Sequence, residues 1–128
     1  MIKNIMVRAE GLHQRITRLI PFDYKDFPST DAVEICKIPA DAILVGAYIQ
    51  MSTASQASAT LELENGTDTL LSASAISSTT AVGGELDNCV PVGEPQVITA
   101  TASVALTVGE GVIRIEYVRL GQTFGTHS

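Results

Sequence analysis

The stretch Ile98-Thr99-Ala100-Thr101-Ala102-Ser103-Val104-Ala105-Leu106-Thr107-Val108 sets an apolar side chain at every even position and a small one, mostly hydroxylated, at every odd one. Successive side chains of an extended strand point to opposite faces. This period of two therefore predicts a β-strand that buries Ile98, Ala100, Ala102, Val104, Leu106 and Val108. The run is long for one strand and leaves room for a bend within it. Gly109-Glu110-Gly111 then reads as a hairpin turn, after which Ile113, Ile115 and Tyr117 face inward and Arg114 and Glu116 outward.

The same period recurs upstream. Ala57, Ala59, Leu61 and Leu63 oppose Ser58, Thr60, Glu62 and Glu64, and Asn65-Gly66 supplies the positive φ angles of a two-residue hairpin, with a return strand over Thr69 to Ala73. Ile43, Val45, Ala47, Ile49 and Met51 line one face of a strand whose other face, with Leu44, Gly46 and Tyr48, is also largely apolar, which predicts a central position in its sheet. Ala32 to Lys37 sets Val33 and Ile35 against Glu34 and ends before the turn at Pro39. Ser74 to Asn88, rich in Ser, Thr and Gly, reads as loops with one weak strand. Toward the amino terminus, Ile5, Ala9, Leu12, Ile16 and Leu19 fit helical spacing, while Ile16, Arg18, Ile20, Phe22 and Tyr24 fit strand spacing. Gly11 weakens the helix. The reading adopted is an extended arm over residues 1–14, a first strand from Arg15 to Phe22 placed near a sheet edge by Pro21, and a polar tail over residues 121–128.

Seven to nine strands in one domain over residues 15–120, with turns at the spacing of an antiparallel sandwich, predict an all-β fold. A doubly wound α/β fold needs amphipathic helices between its strands, and the sequence has no room for them. A chain of 128 residues buries roughly two-thirds of its unfolded surface, enough for a core without metals or disulfides. Cys36 and Cys89 sit in separate segments with no CxxC pair, and read as buried thiols of a protein kept in a reducing cytosol. No apolar run approaches membrane-spanning length, and Met1 to Arg8 shows no long apolar core before a small-residue cleavage site of the kind expected in a secretory leader. Asn65-Gly66-Thr67 matches a glycosylation sequon but is read as part of the hairpin turn.

Charged residues make up 17% of the chain and apolar ones 45%, with a positive mean hydropathy. Two explanations are open: exposed faces that use Ser and Thr in place of charges, or a surface that meets other protein. From Ile38 to Ile113 there is no Lys or Arg, while Asp41, Glu62, Glu64, Asp68, Glu85, Asp87, Glu94 and Glu110 are acidic. Such a surface repels nucleic acid. The first twenty residues carry Lys3, Arg8, Arg15 and Arg18 against Glu10, a net of +3 in a chain of net −6.

Signals for catalysis are poor. The two histidines, His13 and His127, lie near the termini, no GxSxG elbow surrounds a serine, and the glycine pairs lack a phosphate-cradling pattern. Glu62, Glu64 and Asp68, with Asp87 and Asn88, are hard oxygen ligands of the type calcium takes, but they follow no known loop pattern and read as the solvent face of a strand and its turn. Phe22, Tyr24 and Phe27 form either an exposed patch or the packing over an open end of the sandwich. No cofactor, metal or small-molecule substrate is expected.

Three phrases carry a likeness: Ile38-Pro39-Ala40-Asp41-Ala42-Ile43-Leu44-Val45-Gly46-Ala47, Leu61-Glu62-Leu63-Glu64-Asn65-Gly66-Thr67-Asp68 and Ile113-Arg114-Ile115-Glu116-Tyr117. In this order, over most of residues 15 to 120, they resemble the small β-sandwich virion proteins of tailed bacteriophages, closest to the capsid decoration, or cement, proteins. The resemblance implies a jelly-roll-like sandwich and a homotrimer. It also implies a non-enzymatic structural role: made in the cytoplasm of a bacterial host, the protein would bind the capsid exterior and bridge subunits of the major capsid protein, with no nucleic-acid or membrane partner. On this reading Lys3, Arg8, Arg15 and Arg18 reach the shell, and the hydroxylated face of Thr99, Thr101 and Ser103 packs against other copies. A carbohydrate- or receptor-binding module of a tail fibre is the rival, and a head-completion or adaptor role stays open.

Overall fold

The computed structural model describes residues 15–66, 68–86 and 94–119. The arm over residues 1–14, the tail over residues 121–128, and Cys89, Asp87 and Asn88 lie outside them. Among the described residues there are eight strands: β1 (Arg15–Asp23), β2 (Val33–Ile38), β3 (Ala42–Thr53), β4 (Thr60–Asn65), β5 (Asp68–Ala75), β6 (Val82–Glu85), β7 (Gln96–Ala102) and β8 (Glu110–Arg119), with a 3-10 turn at Tyr24–Asp26. The first sheet has the order β1-β8-β3-β6 and the second β2-β7-β4-β5, every pairing antiparallel. Strands β4 and β5 pair, and around them, nested outward, β3 with β6, β2 with β7 and β1 with β8. This is one long hairpin rolled into two layers, the jelly roll.

The alternation that predicts the strands also fills the space between the sheets. Leu61, Leu63, Ile98, Ala100, Ala102, Ile113, Ile115 and Tyr117 are buried there with Ile38, Ile49, Met51, Phe27 and Ile76. Strand β3 is central, and Pro21 lies in an edge strand, as read from the sequence. Phe22 and Phe27 meet edge to face at 5.5 Å between ring centres and close one end of the sandwich, while Tyr24 remains exposed. The end is thus packed.

Several expectations are corrected, and most corrections trace to a shift of register. A bulge between Leu44 and Gly46 inverts the parity of β3, so Ala42 and Leu44 point inward and Ile43 and Val45 lie half-buried on the outer face. A second bulge, at Ile35, turns Cys36 and Ile38 into the core. Strand β7 stops at Ala102. Beyond it the chain crosses to the other sheet, tied down by Leu106 N–H to the Phe27 carbonyl and Thr107 N–H to Gln56 Oε1, so Leu106 stays buried while Val104 and Val108 are exposed. Gly109-Glu110-Gly111 is consequently no hairpin, because β7 and β8 belong to different sheets. At the tip of the roll Asn65 stays extended and pairs with Asp68, so of the two residues expected to take a positive φ only Gly66 does. Ala57 is exposed ahead of β4, where Ser58 takes a φ of 69° and ends the alternation.

Cys36 is a free thiol in the core. Burial pushes its pKa up, against the lowering effect of Arg18. In a Cys89→Ser background, alkylation of the native protein should therefore stay slow through neutral pH and reach the rate of a free thiol only in denaturant. Fast labelling of folded protein at pH 7 would show that β2 does not bury Cys36.

Candidate assembly surfaces

The two outer faces differ in how their charges are arranged. On the first sheet the antiparallel register lines up Thr17, Glu116, Gly46 and Glu85 in one row across four strands. Gly46 leaves the middle of that row bare. Arg15 Nη1 reaches along it, donating to Glu116 Oε1 at 2.9 Å and to Glu85 Oε2 at 3.2 Å. These hydrogen bonds, the one to Glu85 first, raise the guanidinium pKa above its usual value. Arg114 Nε approaches the other Glu116 oxygen at 3.2 Å and stacks 4.1 Å from the centre of the Tyr48 ring. Glu116, its side chain 12% exposed, is thus held between two arginines. A Cβ on Gly46 would stand 2.8 Å from Tyr48 Cε1 and 3.0 Å from Glu116 Oε1. Gly46→Val should separate Arg15 from Glu85 and lower stability by about 1–3 kcal/mol through overpacking, while Arg15→Ala, which leaves Glu116 paired with Arg114, should move the melting temperature far less. Equal shifts from the two variants would show that Gly46 is not the floor of the network.

Beside this row lies a shallow groove lined by Leu19, Tyr48, Gln50, Ala81, Val112 and Arg114. Leu19, 63% exposed, is its most open large apolar residue. A second depression, at the end closed by Phe27, is lined by Tyr24, Lys25, Val108 and Glu110.

The outer face of the second sheet is acidic. The register places Thr99 between Glu34 on β2 and Glu64 on β4, and Thr101 beside Glu62. Lys37 approaches Glu34 at 4.0 Å. Two copies meeting through Thr99 and Thr101 would set carboxylates against carboxylates. Ser103 lies past the end of β7, where its Oγ accepts from the Thr60 N–H at 3.0 Å.

Of the residues assigned to the shell, Arg15 is engaged as described and Arg18 donates to the Lys37 carbonyl at 3.4 Å, bridging β1 to β2 across the sandwich. Lys3 and Arg8 lie outside the described residues, as do His13 and His127. Among the described residues no three His, Cys, Asp or Glu side chains are placed to hold a metal ion, and no helix is long and apolar enough to cross a membrane. The network around Glu116 was not read from the sequence: its members are scattered from Arg15 to Glu116, and only the lateral register brings them together.

The fold is similar to that of three phage capsid chains. A chain of the cyanophage Pam1 capsid asymmetric unit matches with a TM-score of 0.58 at 19% identity, covering 84% of this chain and 86% of that one. A chain in the capsid of Ralstonia phage GP4 matches with a TM-score of 0.63 at 11% identity over 84% and 85%. One in the acid-stable capsid of Helicobacter pylori bacteriophage KHP30 matches with a TM-score of 0.55 at 15% identity over 82% and 91%. No protein-family model matches the sequence, and no curated protein matches it. The jelly-roll-like sandwich implied by the sequence resemblance is thus met in the fold.

Proposed function

We propose that this chain is a structural virion protein that binds the outer surface of a bacteriophage capsid as a trimer and stabilises it by bridging neighbouring subunits of the major capsid protein. The observation that carries this reading is the coverage of the three capsid chains from both sides. Near-complete overlap in each direction means that chains of almost this length, folded as one jelly roll, stand in phage capsids.

The physical features agree. The role needs broad contact and no reactive group, and repetition over a lattice turns modest affinity per contact into large avidity. Among the described residues the cations Arg15, Lys37, Arg114 and Arg119 are paired with carboxylates of the domain itself. Lys3 and Arg8 of the arm, together with Arg18, which donates to the Lys37 carbonyl, and Lys25, which lies over the Tyr24 ring, are the basic residues left for a partner, while Arg15 ties the start of β1 to β8 and β6.

The test is co-sedimentation with purified icosahedral shells, followed by imaging of the particles. Full-length protein should occupy many symmetry-related positions, and deletion of residues 1–14 should abolish occupancy while leaving the circular-dichroism melt intact. Undiminished occupancy by the truncated chain overturns the role of the arm. Density confined to a single vertex would replace decoration with a head-completion role, and binding to host polysaccharide with none to shells would replace it with a receptor-binding one.

A further inference from the structure

The open edges of the two sheets lie on two flanks of the sandwich, and only one flank is defended. On the first, β1 and β2 lie side by side, joined by the Arg18 to Lys37 contact. These edges carry Arg15, Arg18, Pro21, Glu34 and Lys37, the charges and proline that keep a strand edge from pairing with another chain. On the second flank β5 and β6 are neighbours. From Thr69 to Gly84 the chain has no Asp, Glu, Lys, Arg or His, and this one run builds nearly all of β5, its connection to β6 and most of β6. Other uncharged runs, Ala42 to Leu61 and Pro95 to Gly109, build β3 and β7, which are paired on both sides and need no guard.

Strand β5 also buries little. None of its residues is fully buried, Leu70 and Leu71 are half-exposed to solvent, and Thr69, Ser72, Ala73 and Ala75 are exposed. Its rim presents backbone N–H and C=O groups away from β4. Two register shifts against β4 bend the strand, and these with Asp68 at its start are the guards it keeps.

We propose that this uncharged flank is the surface through which copies of the chain meet, the rim of β5 in one copy lying against the β5–β6 flank of the next. A strongly charged partner gains no electrostatic complementarity there. The outer face of the second sheet opposes its own copy through Glu34, Glu62 and Glu64, and on the first sheet Arg15, Arg114, Glu85 and Glu116 are already paired with one another. The uncharged flank is matched on this chain by the same flank of another copy. Two rims on one flank also allow β5 of one copy to meet β6 of the next, a head-to-tail contact that can close a ring. The inference deepens the trimeric part of the proposed function, but the contact belongs to the chain alone.

Sedimentation velocity on the full chain without capsids tests it. The wild type should self-associate, and Ser72→Lys and Ala73→Lys should each raise the dissociation constant about tenfold or more, while Leu19→Lys and Thr99→Lys, on the two outer faces, leave it unchanged. Thermal melts confirm that the variants fold. Hydrogen exchange on the wild type supplies a readout without substitution: amides of residues 69–84 should gain protection with rising concentration and those of β1 and β2 should not. A wild type that stays monomeric, an assembly indifferent to both β5 lysines, or protection gained only outside residues 69–84 overturns the proposal. Capsid co-sedimentation is read separately, so loss of this contact is not confused with failure of the shell-binding reading.

Discussion

Phe27→Ala is expected to lower the stability of the domain by about 3–5 kcal/mol, within the range for deleting a buried aromatic ring. Phe27 is 1% exposed, packs edge to face on Phe22, and accepts the Leu106 N–H on its carbonyl. One residue thus joins the turn after β1 to the crossover before β8. Removing its ring leaves a cavity at the end of the sandwich that the backbone, held by that hydrogen bond, cannot easily fill. Native domains are stable by only about 5–15 kcal/mol, so the urea midpoint should fall by about a fifth or more. Phe27→Leu should recover much of the loss. A cost under about 1 kcal/mol would mean that the end is open to water and that Phe22, Tyr24 and Phe27 form an exposed patch after all.

Gly111→Val should be as damaging for a different reason. Gly111 lies in β8 between β1 and β3, opposite Phe22 and Met51. A Cβ there would stand 2.5 Å from the Gln50 carbonyl oxygen and 2.9 Å from Met51 Cα, both backbone atoms of a paired strand. No rotamer relieves such a clash, so β3 and β8 must part where they hold the first sheet together. The expected loss is about 3 kcal/mol or more, visible as failure to recover folded protein at 37 °C. Gly84→Ala is the control: nothing lies within 4 Å of its added Cβ, and its melt should match the wild type. Comparable melts for Gly111→Val and Gly84→Ala would disprove the close approach of β8 to β3.

Much of the fold was legible because period two is a strong signal wherever one face is buried and the other wet. β4, β7 and β8 show this, with Leu61, Leu63, Ile98, Ala100, Ile113 and Ile115 all on the predicted side. The failures cluster where a local event changes phase without changing composition. The bulge at Val45 swaps Ile43 for Leu44, and both are equally apolar. At Ser103 the alternation continues through Val108 while the backbone leaves one sheet for the other, because the hydrogen bonds that redirect it come from Phe27 and Gln56, far away in sequence. The surfaces were less legible still. Thr99 and Thr101 read as a neutral hydroxylated face, and only cross-strand register reveals Glu34, Glu62 and Glu64 beside them. Arg15 read as a free cation until Gly46 placed Glu85 and Glu116 within its reach.

The nested order of pairing constrains how the protein can be made. The β4–β5 hairpin closes over a two-residue tip, whereas Arg15 must find Val118. A ribosome adding about 5–20 residues each second releases β1 long before β8 exists, so the earliest strand to emerge waits unpaired for the last. A chain truncated before Glu110 would leave β1 and the long inner edge of β3 bare together. Messages cut short near their end should therefore yield aggregated or degraded product, never a usable fragment.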